Sequence, residues 1–207
     1  ILAKVYQVQG GEAFSAKDYA SAAAVFEKGY AANPRNTDMA LNLATCYCEL
    51  GKYDEGMAIY DKVLAMPAEK YAEAIAKANS NKALYTNNRV ATLQQEGNFD
   101  GVIEMADKLQ AASPALAEKI RLEAYNGKKD YVKVVELGDA AAAAQTTDED
   151  RSSIYFVVGA AYNTLYNLSG NKNEIYRSKA VATLQKVTAG DKVTAAKTAL
   201  TSLTKKE

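Results

Sequence analysis

The chain contains no histidine and no tryptophan. Without histidine, the usual general base near neutral pH and the commonest metal ligand are both missing. A nucleophile activated by an imidazole is therefore excluded. Cysteine occurs only at Cys46 and Cys48. Two residues apart on a helix, these side chains point about 200° apart and cannot bridge one another. They read as small buried or half-buried thiols rather than as a redox or metal pair. Arginine occurs only at positions 35, 89, 121, 151 and 177, so no cluster can grip phosphate bidentately. Formal net charge is zero, and no net field favours nucleic acid or an anionic membrane. No window approaches the roughly 18–20 apolar residues of a membrane helix. Proline is confined to positions 34, 67 and 114, each near the end of an apolar-periodic segment.

What the chain does have is a repeat. Tyr19 and Tyr53 are 34 residues apart, and so are Ala22 and Gly56, Ala23 and Met57, Phe26 and Tyr60, and Lys28 and Lys62. A fixed period in this range marks stacked structural units. Within Met39 to Leu50, the apolar or small residues Ala40, Leu43, Ala44, Tyr47 and Leu50 lie on one helical stripe. Gly51-Lys52 breaks that helix. A second stripe follows at Tyr53, Gly56, Met57, Tyr60, Val63 and Leu64. Two stripes joined by a tight turn predict a helical hairpin. Small residues at Ala44 and Gly56 fall where the two helices cross. Pro67 ends the unit, because proline cannot continue a helix. Asn36-Thr37-Asp38 supplies a capped start with an early acid.

These residues resemble the tetratricopeptide repeat family. That family's pattern appears in the second unit as Leu43-Ala44, Tyr47, Gly51-Lys52-Tyr53, Gly56 and Tyr60. In the first unit it appears as Tyr6, Gly10, Phe14, Lys17-Asp18-Tyr19, Ala22, Phe26 and Pro34. The resemblance implies an all-α fold, a right-handed α-solenoid of stacked helical hairpins. The expectation is a single helical-repeat domain over residues 1–207. Its units lie at about 3–36, 37–70, 83–114, 115–148 and 152–190, with a capping helix at 191–206.

Two stretches depart from the period. Phe99 repeats the turn aromatic about twelve residues late. The extra residues, 71–84, are rich in Ala, Lys and Glu and predict helix, projecting several turns beyond the stack. The fifth unit keeps Tyr155, Val158, Gly159 and Tyr162, but residues 167–178 predict a lengthened turn. In the last helix Val193, Ala196, Leu200 and Leu203 stripe one face and lysines the other, as a solenoid cap requires.

No phosphate loop, metal constellation or catalytic pair stands out, so the chain reads as a non-enzyme needing no cofactor. The resemblance implies a protein or extended-peptide partner held in a concave groove by the first helices. Residues at the family's groove positions, with neighbouring polar residues, are the candidates. In the first unit they are Lys4, Gln7, Phe14, with Gly11 and Ser15 beside them. In the second they are Asp38, Asn42, Thr45 and Glu49, beside Leu41 and Cys48. In the third they are Asn87, Asn88 and Gln94, beside Leu84, Ala91 and Gln95. In the fourth they are Lys119, Glu123 and Asn126, beside Leu116 and Gly127. Chaperone-binding members use a basic clamp for a peptide carboxylate. Here Gln7 and Gly11 replace its first pair and Leu84 and Asn88 its basic pair, so that clamp is not expected. The amide-rich groove suits peptide backbones or sugars. The leading expectation is an adaptor or scaffold for protein interactions. The alternative is a bacterial envelope protein capturing glycans or oligomeric fragments. If an export signal preceded Ile1, an exported or periplasmic location follows, and otherwise a cytoplasmic one.

Overall fold

A computed structural model describes residues 2–205. Among them eleven helices follow one another and no strand occurs. They form two compact units, one up to Arg89 and one from Val90 onward. The first contains α1 (Leu2–Ser15), α2 (Tyr19–Ala32), α3 (Thr37–Glu49), α4 (Tyr53–Leu64) and α5 (Ala68–Gln95) as far as Arg89. The second continues with α6 (Phe99–Leu109), α7 (Pro114–Gly127), α8 (Tyr131–Ala144), α9 (Asp148–Leu168), α10 (Glu174–Leu184) and α11 (Val193–Thr204).

One turn is used five times. Lys17, Gly51, Gly97, Lys129 and Gly170 all adopt left-handed backbone, with φ of 59°, 78°, 70°, 60° and 68°. In each case the next N–H reaches back five residues to a free helix carbonyl. Asp18 donates to Ala13 (3.0 Å), Lys52 to Tyr47 (2.8 Å), Asn98 to Leu93 (2.8 Å), Asp130 to Tyr125 (2.9 Å) and Asn171 to Tyr166 (3.2 Å). This closure satisfies carbonyls that a helix end leaves unpaired. Asp18, Asn98 and Asp130 then cap the following helix, each Oδ1 accepting from the backbone of Ser21, Gly101 and Lys133. The hydrogen bonds from Ser21 also hold the Asp18 carboxyl below its ordinary range. After the first four of these turns an aromatic opens the second helix, at Tyr19, Tyr53, Phe99 and Tyr131, and all four rings are half-buried; α10, after the fifth, opens at Glu174.

Lysine in left-handed backbone carries a penalty of about 1–2 kcal/mol that glycine avoids, less glycine's larger unfolded-state entropy. Lys129→Gly is therefore expected to stabilise the second unit by about 0.5–1 kcal/mol. The measure is the urea midpoint, and a lowered midpoint would count against this account of the turn.

In the first unit Phe26, Met39, Leu43, Tyr60 and Val63 are buried together between the hairpins. The second unit holds one cluster around Leu122, Val134, Ile154 and Val158 and another around Leu184, Ala196 and Leu203. The alanine run ending α8 serves close packing, since Ala141 and Ala142 are buried. A Cβ on Gly138, one turn earlier, would lie 2.6 Å from the Val158 side chain.

Two expectations are corrected. Residues 71–84 do not project beyond the first unit. Ala74 and Tyr85 pack against its core and Ala78 is fully buried in it. Small residues four apart give α5 a face that seats closely on its neighbours. The lengthened turn expected at 167–178 is only 169–173, because α9 runs on to Leu168 and α10 begins at Glu174. Asn173 explains the early restart: its side chain accepts from the backbone of Ile175 and Tyr176 and caps α10. The capping helix expected at 191–206 is α11, ending at Thr204, and position 206 lies outside the described residues.

Candidate functional site

α3 divides its residues between two faces. Met39, Ala40, Leu43, Ala44 and Cys46 are buried. Asp38, Asn42, Thr45 and Glu49 follow at intervals of four, three and four and make one polar stripe. Asn36 caps the helix, its side chain accepting from the Met39 N–H at 3.1 Å. Asp38 in the first turn complements the helix dipole.

The lower half of the stripe is tied into the fold. Thr45 Oγ1 and the Tyr60 hydroxyl are 2.8 Å apart. Burial pushes the Tyr60 phenol up to about 12. Glu49 accepts a hydrogen bond from the Tyr85 hydroxyl at 2.6 Å. Burial and then that bond to a carboxylate raise the Tyr85 phenol well above its ordinary value. Thr45 and Glu49 therefore link α3 to α4 and α5.

The upper half opens on a cleft of about 380 Å³. Asp38 and Leu41 come from α3, and Lys70, Tyr71, Glu73 and Lys77 from α5. The cleft exists because α5 is bent at its start. Tyr71 departs from helical backbone (φ −123°, ψ 24°), just after Pro67 has ended α4's segment. Lys70 Nζ stands 5.3 Å from the centre of the Tyr71 ring. Glu73 and Lys77 pair at 2.8 Å, which lowers the carboxyl and raises the ammonium. Asp38 raises Lys77 further. Leu41, only 6% exposed, supplies an apolar wall. The arrangement offers both charge signs, one aromatic and one aliphatic surface within a single cleft. It suits a peptide segment carrying charged side chains.

Of the other candidates in the first unit, Lys4 and Gln7 are exposed on α1 and Asn42 is half-buried on α3. Phe14 packs edge-on against Tyr19 (5.6 Å) and Phe26 (6.4 Å). Asn87 and Asn88 are exposed on α5. In the second unit Gln94 Nε2 reaches Glu123 Oε2 at 3.5 Å. Lys119 Nζ lies 3.9 Å from Asp150, and Asn126 is exposed near the end of α7. The cleft residues Lys70, Tyr71, Glu73 and Lys77 escape the sequence reading because residues 71–84 break the period. The signal that could have found them is the alanine pair at 74 and 78, which marks the packed face.

Of the two thiols on α3, Cys46 is buried and Cys48 is half-buried. Burial pushes Cys46 up to about 11 and Cys48 up to about 12. Since the thiolate is the reactive form, alkylation of the folded protein at pH 8 is expected to be slower than that of the urea-unfolded chain by about two orders of magnitude. Mass spectrometry after iodoacetamide treatment measures this. Rapid labelling of either thiol in the folded protein would contradict it. Among the described residues no group of three or more His, Cys, Asp or Glu could hold a metal. No described helix is long and apolar enough to cross a membrane.

The hairpins, with their shared turn and shared turn aromatic, define a helical-repeat protein. Residues 13–78 match the family model described as tetratricopeptide repeat, so the resemblance read from the first two units is a family match over that segment. No curated protein matches the chain. Among solved structures, MamA of Desulfovibrio magneticus RS-1 is 16% identical, with a TM-score of 0.40, over 89% of this chain and 94% of that one. The tetratricopeptide domain of P58(IPK) is 14% identical, with a TM-score of 0.39, over 89% of this chain and 59% of that one. A complex of the TPR2AB domain of yeast Sti1 with an HSP90 peptide is 10% identical, with a TM-score of 0.42, over 97% and 96%.

Proposed function

We propose that the protein is a non-catalytic interaction module, an adaptor or scaffold that takes an extended peptide or protein segment on the first-helix surfaces of its hairpins. The observation that carries this reading is the α3–α5 cleft. It sets Asp38, Lys70, Glu73 and Lys77 around an aliphatic wall beside a polar stripe. Helical repeats of this kind expose extended surfaces on which partners lie. The tetratricopeptide match over residues 13–78 includes this cleft's α3 wall and much of α5's contribution, and proteins of that family act in protein–protein interaction. A glycan-capture role has less support. Sugar binding would need aromatic rings exposed together. Phe14 is packed against two other rings, and Phe156 is partly buried against the α10–α11 core.

Panning a random phage-displayed dodecapeptide library on the full chain tests the reading. Peptides should be enriched whose affinity falls about tenfold in Asp38→Ala/Lys77→Ala, the loss of one or two charge-assisted contacts. The helical circular dichroism of that variant should match the parent, because both residues are exposed. Enrichment of no peptide, or of peptides indifferent to the double substitution, would overturn the α3–α5 cleft as the binding surface.

A further inference from the structure

The second unit has a polarity that its packing does not require. Among its described residues the exposed large apolar side chains are Val132 (49% exposed), Leu168 (72%) and Ile175 (67%). All three belong to hairpin turns. Consecutive helices pack through short turns and so alternate in direction. The end of α7, the start of α8, the end of α9, the start of α10 and the end of α11 therefore share one edge. Lys205, at the end of α11, lines a dip there together with Asn167 and Asn171 of the α9–α10 turn.

The repeat register shows what is unusual about these residues. The second residue of each second helix is exposed, and in chain order it is Ala20, Asp54, Asp100, Val132 and Ile175. An acid there complements the helix dipole, whereas an exposed β-branched aliphatic does nothing for the helix. Two residues before the left-handed turn residue stand Ser15, Glu49, Gln95, Gly127 and then Leu168, again all exposed. The last two hairpins thus place aliphatics where the earlier ones place small or polar residues. Local rules broken without a packing gain mark function.

Charge follows the same edge. Lys129, Lys172 and Lys205 are exposed on it, and none is paired with an acid among the described residues. The acids nearby are engaged: Asp130 caps α8, Glu174 holds Arg177 and Asp100 holds Lys128. The opposite edge has no exposed large apolar residue, and there Lys119, Arg151 and Lys192 lie on Asp150, Asp148 and Asp191. The α9–α10 turn is also closed on itself. The N–H groups of Ser169, Gly170 and Asn171 donate to α9 carbonyls at 3.1, 2.9 and 3.2 Å. Those of Lys172 and Asn173 donate to Ser169 Oγ at 3.3 and 3.0 Å, and those of Ile175 and Tyr176 to Asn173 Oδ1 at 3.1 and 3.4 Å. A turn whose donors are satisfied internally can leave water at little cost.

We infer that this edge of the second unit rests on an anionic lipid surface: Val132, Leu168 and Ile175 enter the boundary between headgroups and acyl chains, and Lys129, Lys172 and Lys205 lie against the anionic headgroups. Apolar area and lysine charge add in such a contact. The side chains stand out from convex turns, which a soft lipid layer receives without preformed pockets. The contact is superficial, since no described helix is long and apolar enough to cross a membrane. The chain's net charge is zero, so the attraction is local to this edge.

The full chain is sedimented with vesicles of phosphatidylcholine containing about one-third phosphatidylserine, and with vesicles of phosphatidylcholine alone. The parent should partition about tenfold or more strongly onto the anionic vesicles, and less as salt is raised. Leu168→Ser/Ile175→Ser should lower that partition about tenfold with the melting temperature unchanged, because both side chains are exposed. Lys129→Gln/Lys172→Gln/Lys205→Gln should reduce it to the level of the neutral vesicles. Asp38→Ala/Lys77→Ala, which alters the α3–α5 cleft, should bind vesicles like the parent, so the two surfaces are read separately. The chain has no tryptophan, so Ile175→Trp reports its own depth. Its emission should move to shorter wavelength on anionic vesicles and be quenched by lipids brominated on the acyl chain. A parent that does not sediment with anionic vesicles, or a tryptophan emission that stays at its solvent wavelength, would overturn the lipid contact. Equal binding to both vesicle types would overturn the part given to the lysines. Self-association that Leu168→Ser/Ile175→Ser abolishes, without vesicle binding, would give the edge to a second copy of the chain and overturn the lipid assignment.

Discussion

Gly56→Leu is expected to destabilise the first unit by about 3 kcal/mol or more, the upper range for overpacking a core. A Cβ on Gly56 would lie 2.5 Å from Cys48 Sγ and 2.8 Å from the Ala44 carbonyl oxygen. The sulfur could swing aside, but the carbonyl belongs to α3's backbone and cannot. The α3 and α4 axes must then separate, and Met57, Tyr60 and Val63 lose contact with Leu43 and Ala44 beneath them. Gly11 provides the contrast. It also lies within a helix, yet a Cβ there meets nothing within 4 Å. Gly11→Ala should therefore stabilise by about 0.5–1 kcal/mol through helix propensity alone. Urea unfolding followed by far-ultraviolet circular dichroism reads both. If Gly56→Leu kept the parental midpoint while losing affinity for a peptide enriched by panning on the parent chain, the α3–α4 crossing would be the binding surface and not the packing seam.

That contrast also shows where the sequence was legible. The 34-residue register between Tyr19 and Tyr53 found the hairpins, because turn aromatics, crossing glycines and helix-ending prolines recur wherever the same hairpin is built. Lys17 and Lys129 fall in segments that the sequence marks as turns, but their left-handed backbone was not legible, since that conformation is normally announced by glycine and lysine carries no such signal. The α3 half of the candidate cleft was legible through Asp38 and Leu41, which keep the repeat register. The α5 half was not, because its register is set by Ala74 and Ala78 packing on the first unit's core, a tertiary fact that periodicity does not encode. The bend at Tyr71, which opens the cleft, likewise has no sequence mark beyond Pro67 four residues earlier.

Raising the pH above 9 is expected to unfold the first unit well before the backbone itself is attacked. Cys46 and Tyr60 are both fully buried. Burial is the largest cause of their raised values, from 9.0 to about 11 for the thiol and from 10.0 to about 12 for the phenol. Each is neutral when protonated, so the folded state holds its proton more tightly than the unfolded chain does. Such a group contributes stability that is fully present below its unfolded value and is lost as pH rises through its folded value. Cys46 therefore withdraws stability between pH 9 and about 11, and Tyr60 between pH 10 and about 12. A tenfold difference in proton affinity is worth about 1.4 kcal/mol, so each group withdraws about 2–3 kcal/mol over its window. The two groups also oppose each other's ionisation, since a charge on Cys46 raises Tyr60 further. Tyr47 and Cys48, both half-buried and both raised to about 12, add in the same direction with more solvent screening. Urea midpoints at pH 8, 10 and 11 measure the loss. Cys46→Ala should flatten the fall between pH 9 and 11, and Tyr60→Phe the fall above it, each at a small constant cost from the lost packing or the lost Thr45 contact. A midpoint that stayed level from pH 8 to 11 would mean that neither group is held neutral by burial, and the packing of α3 against α4 would have to be looser than the fully buried Cys46 and Tyr60 imply.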